Sequence, residues 1–347
     1  MVDLHKYRVI RLNANLFPVS EFERQMCADF GLRVEAVAAN EPEQILPFAA
    51  DCDALFVVSA SLPAHVIQAL TRCRVISRLG TGVDKIDVRE ATRRGIVVAN
   101  VPYFCVEEQA DHTMALLLSI ARKLDAMRDV MRRGAWVEAR RISGFNRRLS
   151  TQTLGLVGFG NSAKAVARRA LGFGMRVLST RRTMTAEPEV AAQLGVQMCS
   201  FEDLLAESDF VSLHLPLLEE TRHLIDEAAL KRMKPGSALI NTSRGAIVDE
   251  TALVAALQSQ HLGGAGIDTF DQINIHDADE TPPDHPLLSL ENVVLTPHVG
   301  AFSIEAKRDV TTGGVENLSA VLRGEWPTTK NIVNPEVVPR FPLKPTV

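Results

Sequence analysis

Arg244, Asp268 and His298 are far apart in the sequence, yet each stands at or just beyond the end of an apolar run. Such runs, bounded by turn residues, read as buried parallel strands. Arg244 follows a strand that ends Asn241-Thr242-Ser243. Asp268 ends the run from Gly264, and His298 follows Thr296-Pro297. In open α/β sheets ligands bind beyond the carboxyl ends of the strands, so the three residues are expected on one edge of one sheet. An arginine, a carboxylate and a histidine placed there can handle a hydroxy acid. The guanidinium fork grips a carboxylate and polarises a carbonyl. The imidazole takes the hydroxyl proton as hydride leaves, or returns it in the reductive direction. A single arginine at a strand end is usually a surface charge, and a single histidine is usually structural. Position and chemistry together raise Arg244 and His298 above His112, inside a long helix, and His214, inside a strand. Those two read as structural or interface residues.

Hydride chemistry needs a carrier, and the stretch from Thr153 to Arg182 reads as its cradle. Leu154 to Val157 is a short apolar run. Gly158-Phe159-Gly160-Asn161-Ser162-Ala163 follows, then apolar residues at helical spacing, then the strand Arg176–Ser179. This is a βαβ unit with a glycine turn that opens a helix, the context that gives the fingerprint its meaning. Gly158 permits the tight turn. Gly160 lets the backbone approach a pyrophosphate at the helix N-terminus. Ala163 stands at the third glycine position, where close packing of helix on strand is required. At the end of the second strand, where an acid would bond the ribose hydroxyls of NAD, the chain has Ser179-Thr180-Arg181-Arg182. A carboxylate would repel a 2′-phosphate, whereas guanidiniums welcome it. The site is therefore expected to prefer NADP, with NAD possible.

The elements around these residues alternate strand and helix along the chain. Residues 7 to about 100 hold five strand signals separated by amphipathic runs, a small parallel sheet with helices on both faces. Within it, Gly80-Thr81-Gly82 forms a glycine-rich turn after a strand, whose N–H groups can hold a carboxylate. Val101-Pro102 reads as a crossover. The long pattern from Cys105 to Arg133 reads as one helix, apolar at Ala110, Met114, Leu117, Leu118 and Ala121, which must be buried between domains or against a second subunit. Residues 132–150 read as an irregular basic excursion. From there six or seven parallel strands make a doubly wound domain over 103–297. A helix over about 304–323 returns to the first domain, which is then discontinuous, 1–102 and 298–347. The proline-rich end from Pro335 reads as loosely ordered.

Composition excludes several classes. At 347 residues two domains are expected, and 46% hydrophobic with 23% charged residues is globular. A net charge of −4 without a basic block argues against nucleic acid as a partner. The longest apolar run is too short to span a membrane. Five scattered cysteines, an odd number with no CxxC pair, point to reduced thiols in the cytoplasm. No signal peptide precedes the first strand.

Seven motifs together resemble the D-isomer-specific 2-hydroxyacid dehydrogenase family over about residues 50–325. They are RLGTGVDKID, NVPYFCVEEQADHT, GLVGFGNSA, HLPLLEETR, NTSRGAIVDE, GAGIDTFD and NVVLTPHVG. The resemblance implies a Rossmann-type cofactor domain inserted in a smaller flavodoxin-like substrate domain, a deep cleft between them, and a homodimer formed through the cofactor domains. It implies that Arg244 is the catalytic arginine, that His298 is the acid/base, and that Gly80, Thr81 and Gly82, with Arg244, bind the substrate carboxylate. It places Asp268 near the nicotinamide amide. Leu215, Pro216, Thr221, Thr242, Ser243 and Gly300 join Gly158, Gly160, Asn161, Ser162, Thr180, Arg181 and Arg182 around the cofactor. The expected activity is hydride transfer between NADP(H) and a small 2-hydroxy or 2-keto acid, in the manner of glyoxylate or hydroxypyruvate reductases.

Three positions depart from the family pattern. Two are Ala163 and Arg181. The third is Ile273, where the family carries a glutamate, and an insertion from Asn274 to Asp279 follows it. Glu280, just before Thr281-Pro282-Pro283, resembles the displaced glutamate and is expected to partner His298. The disturbed position favours an alternative, a weakly active NAD(P)H-sensing dimeric scaffold like the corepressor relatives. Arg244 and His298 oppose it.

Overall fold

The structure, a computed structural model, describes residues 4–144, 146–183, 188–273 and 284–344. The chain divides into two compact units, Met1–Cys105 with Ser303–Val347, and Val106–Phe302. The divisions fall after Cys105 and Phe302 rather than after residues 102 and 297. The segment bearing His298 thus stays with the sheet it leaves, because Asp268 bonds the N–H groups of Val299 and Gly300.

The first unit holds β1 (Val9–Arg11), β2 (Val34–Ala36), β3 (Ala54–Val57), β4 (Val75–Arg78) and β5 (Val97–Ala99). Their order is β2-β1-β3-β4-β5, and every pairing is parallel, the flavodoxin-like arrangement. Both faces are covered, which is why the strands read as unbroken apolar runs. Ile10, Leu55, Val57, Ile76 and Val98 pack on one face. Val9, Ala54, Phe56, Val75 and Val97 pack on the other, with Val315, Leu318, Val321 and Leu322 of the helix Ile304–Arg323. That helix crosses β4 closely, and Ser77 Oγ donates to Gly314 O at 2.9 Å. The end of the chain is not loose through residue 344. Arg340 donates to Arg94 O and Leu70 O, Val337 is buried, and Asn334 caps Val98 N. Side-chain bonds hold a segment whose composition alone reads as a tail.

The second unit holds β6 (Thr153–Val157), β7 (Arg176–Thr180), β8 (Gln197–Met198), β9 (Phe210–Leu213), β10 (Ala238–Asn241), β11 (Gly264–Ile267) and β12 (Val293–Leu295). The order is β12-β11-β10-β9-β6-β7-β8, with every pairing parallel. The strand order reverses between β6 and β9, the switch point at which such sheets bind dinucleotides. Leu154, Leu156, Val177 and Ile240 face the helix Asn161–Gly172 and the helix Val106–Arg122, while Val157, Leu178, Val211, Leu239 and Ile267 face the helix Glu250–Gln258. Ser200 and Asp249 cap helices by accepting from Asp203 N and Ala252 N.

Two features differ from the sequence expectation. The long helical pattern is broken at Lys123, which sits at φ 53°, so Val106–Arg122 and Leu124–Arg132 are separate helices. A third helix, Trp136–Ser143, lies in the stretch that reads as irregular. The apolar face of Val106–Arg122 is buried within its own unit, with Ala110, Met114 and Leu117 against β6 and the helix Asn161–Gly172. Among the described residues no helix is long and apolar enough to cross a membrane.

Candidate active site

The carboxyl edge of the seven-stranded sheet gathers the polar residues one strand at a time. Beyond β6 lies the glycine turn. Gly158 has φ 107°, and a Cβ there would come 2.3 Å from His214 O, so only glycine fits. Gly158 N donates to Thr180 O at 2.9 Å, which ties the turn to the end of β7. Gly160 precedes the helix Asn161–Gly172 and offers it no side-chain cap, and a Cβ on Gly160 would meet nothing within 4 Å. An uncapped helix start facing open space is what a pyrophosphate requires. Ala163 is wholly buried in the core between this helix and the sheet, so alanine meets the packing demand of the third position.

Beneath the turn is His214, at the end of β9. Its Nε2 lies 3.0 Å from Ser212 Oγ and its Nδ1 lies 3.4 Å from Ser162 Oγ. Burial pushes the imidazole down from 6.5 to about 4, so it is neutral and can hold the hydroxyl of Ser162 in place. Thr180 is buried at the end of β7, Arg181 is half-buried and Arg182 exposed. Leu215 lies against the Gly158 turn, and Pro216 is exposed. Thr221 closes the loop after β9, its Oγ1 donating to Pro216 O and accepting from Leu218 N.

Adjacent strands β10, β11 and β12 end on the paired row Asn241, Ile267 and Leu295; Asp268 follows one residue beyond that row, and Arg244 and His298 each follow three residues beyond it. The turn to Arg244 is bonded at each residue. Ser243 Oγ donates to Leu213 O, Asn241 Nδ2 donates to Arg244 O, and Gln109 Nε2 donates to Thr242 O. Asp268 is buried and accepts from Thr296 Oγ1 at 2.6 Å, Val299 N at 2.9 Å and Gly300 N at 3.0 Å. Burial alone would raise its carboxyl. The bonds from His112, Thr296 and the two N–H groups outweigh burial and hold it below the ordinary carboxylate value. His298 is half-buried in the left-handed region at φ 58°.

The remaining expected residues lie elsewhere. Gly80, Thr81 and Gly82 follow β4 in the first unit, and Asn100 Nδ2 donates to Thr81 O at 2.6 Å. Glu280 lies outside the described residues. Asp271 pairs with His223, with 3.7 Å between Oδ2 and Nε2, while Glu250 accepts from the N–H groups of Asp271 and Gln272. His112, set aside in the sequence as structural, stands in the site: its Nε2 is 2.9 Å from Thr296 Oγ1 and 3.3 Å from Asp268 Oδ1. The signal for it was a polar trio, Gln109, His112 and Thr113, at one-turn spacing on one face of the helix Val106–Arg122.

A glycine turn at the switch point, with arginine, carboxylate and histidine on three neighbouring strand ends, defines a nicotinamide-dependent dehydrogenase. Comparison with known proteins agrees. The profile of the D-isomer specific 2-hydroxyacid dehydrogenase, NAD binding domain, matches residues 114–300. A glyoxylate reductase of Korarchaeum cryptofilum is 45% identical over 83% of this chain and 84% of its own. One from Thermococcus litoralis is 39% identical over 84% and 86%. The crystal structure of D-lactate dehydrogenase from Aquifex aeolicus, complexed with NAD and lactic acid, is 26% identical with a TM-score of 0.85, over 94% of this chain and 99% of that one. The chain belongs to the D-isomer specific 2-hydroxyacid dehydrogenase family, as an NAD(P)-dependent oxidoreductase acting on CH–OH donors.

Proposed function

We propose that the protein is an NADP-preferring reductase of small 2-keto acids of the glyoxylate and hydroxypyruvate class, and in reverse a dehydrogenase of the D-2-hydroxy acids. The observation that carries this reading is the placement of Arg244 and His298 after β10 and β12, with buried Asp268 just beyond β11, the strand between them. Arg244 grips the substrate carboxylate and polarises the keto group, and His298 delivers the proton to the carbonyl oxygen. When bound, the nicotinamide supplies the hydride. The Gly158–Ser162 turn holds the pyrophosphate, and Leu215, Pro216, Thr221, Thr242, Ser243 and Gly300 line the rest of the cofactor. Gly80, Thr81 and Gly82 bind the substrate carboxylate through backbone N–H groups. Glu280 is the proposed carboxylate partner of His298. The glyoxylate reductases among its relatives support the substrate class.

Arg181 and Arg182 at the end of β7 support the cofactor preference, since neither position offers the acid that NAD's ribose would use. A homodimer is supported by exposed apolar residues on the helices Leu124–Arg132 and Trp136–Ser143. Five free cysteines support a cytoplasmic setting. The test is a panel of 2-keto acids with NADPH and NADH, followed at the nicotinamide absorbance. The expected result is turnover of small 2-keto acids with a lower KM for NADPH. Arg181→Asp should reverse that order, because a charge-assisted contact to phosphate contributes about 1.5–3 kcal/mol, or about ten- to a hundredfold. Equal KM values for the two cofactors in the parent would overturn the preference. Tight NADPH binding with no turnover on any keto acid would replace the reading with the nucleotide-sensing scaffold, which Ile273 at the glutamate position favours.

A further inference from the structure

The segment Thr296–Gly300 carries His298, and its backbone is fastened on both sides of that residue. His298 N donates to Thr296 O at 3.1 Å. The next two N–H groups, of Val299 and Gly300, go to the two carboxylate oxygens of Asp268. Asp268 therefore holds the backbone immediately after the left-handed turn at His298.

Asp268 in turn is fixed from the helix Val106–Arg122. The single proton of the Thr296 hydroxyl goes to Asp268 Oδ1 at 2.6 Å. The 2.9 Å contact between Thr296 Oγ1 and His112 Nε2 must then be a bond donated by the imidazole. The same Nε2 lies 3.3 Å from Asp268 Oδ1. The group is also closely packed: a Cβ on Gly300 would come 2.9 Å from Asp268 Oδ2 and 3.3 Å from His112 Cδ2. On the same turn of helix, Gln109 Nε2 donates to Thr242 O, and Thr113 Oγ1 bonds Thr242 Oγ1 at 3.0 Å. Thr242 leads directly into Arg244. One helical turn thus supports the strand ends that carry both groups assigned to the chemistry.

We propose that His112 is a positioning residue for His298, acting through Thr296 and Asp268 to hold the left-handed turn from which His298 projects. The proposal rests on the reading of His298 as the acid/base and adds a residue that the reading does not need. Its effect belongs in kcat. His298 must meet the carbonyl oxygen, and a misplacement of about 1 Å can cost on the order of 10²-fold in rate. The hold on the substrate carboxylate, assigned to Arg244, has its own supports.

The experiment compares the parent with His112→Ala, His112→Gln, Thr296→Val, the double variant His112→Ala/Thr296→Val, and His298→Ala. Two quantities are read: steady-state kinetics with a 2-keto acid and reduced nicotinamide cofactor, and hydrogen exchange of the Val299 and Gly300 amides in cofactor-free protein. In His112→Ala, kcat should fall about ten- to a hundredfold, KM for the keto acid should stay near the parent value, and both amides should exchange faster. His112→Gln, which retains an N–H donor, should recover most of both losses. The double variant should be no worse than the poorer single one, since both changes break one chain of contacts. Unchanged kcat and unchanged amide protection in His112→Ala would overturn the proposal. So would a kcat loss that glutamine does not recover, or one that adds fully to that of Thr296→Val. Full turnover by His298→Ala would overturn the acid/base assignment instead, and the exchange data would still report whether His112 holds the turn.

Discussion

His214 shows how a residue under the cofactor turn can set the acid limit of the whole protein. Folded, it stays neutral down to about pH 4, whereas an unfolded chain takes up the proton near 6.5. As pH falls below 6.5 the unfolded state binds the proton and the folded state does not. Stability from this group is therefore complete above 6.5 and is lost progressively toward pH 4, by about 3 kcal/mol in all. Asp268, held below the ordinary carboxylate value, loses its contribution only at lower pH, so the two windows separate. Denaturant midpoints measured between pH 7 and 4 should fall steeply in the parent and less steeply in His214→Gln. Identical slopes would show that another group governs the decline. At this scale the sequence was legible where chemistry and strand-end position coincide, as at Arg244, Asp268 and His298. The partners of His112 and His214 were not legible, because a histidine within a helix or at a strand end reveals them only when Thr296, just beyond β12, and Ser162, in the first turn of a helix, are brought beside it. For the acid of His298 the insertion after Ile273 shifts the spacing by which that residue is recognised, so Glu280 was read from its place before Thr281-Pro282-Pro283, and it lies outside the described residues.

The βαβ unit from Thr153 to Thr180 was readable because its three signals agree: an apolar run, a glycine turn and a helical repeat. Its two leading glycines answer to different constraints, and substitution separates them. Gly158→Ala places a methyl group against the backbone of His214 at a positive φ, so it strains the fold as well as the turn. Gly160→Ala meets nothing in the protein within 4 Å, so its methyl group obstructs only what binds there. Both variants should bind NADPH at least about tenfold more weakly, yet only Gly158→Ala should lower Tm markedly. Titration by nicotinamide fluorescence beside thermal melts checks this. NADPH affinity unchanged by Gly160→Ala would remove the helix start from the cofactor site. Elsewhere periodicity ran past a break it could not see. Lys123 takes a left-handed conformation that its residue type does not announce, and the helix Trp136–Ser143 lacks a side-chain cap to mark its start.

At the scale of the whole molecule the alternation of strands and helices made two parallel sheets legible, and the helix Ile304–Arg323 identified the first unit as discontinuous. The closing segment was not legible, since Arg340 and Asn334 hold it through bonds to distant backbone. Assembly is the property that the remaining surface addresses. Leu124 is 49% exposed, Met131 47%, Trp136 60% and Val137 62%, four large apolar side chains within fourteen residues of chain on two helices that pack together. Scattered apolar exposure is ordinary, but a concentration of this kind marks an interaction surface. In a two-fold dimer each such residue appears twice, and burying a large apolar side chain contributes about 1.5–3 kcal/mol. Each is about half exposed, so eight of them contribute roughly half the full value, about 6–13 kcal/mol in all, which matches a middling association cost of about 10 kcal/mol. Sedimentation at micromolar concentration should therefore show a dimer. Trp136→Glu with Val137→Glu should sediment as a monomer while keeping the far-UV spectrum of the parent, because neither side chain belongs to the buried core. A parent that sediments as a monomer, or a double variant that stays dimeric, would place the assembly surface elsewhere or remove it.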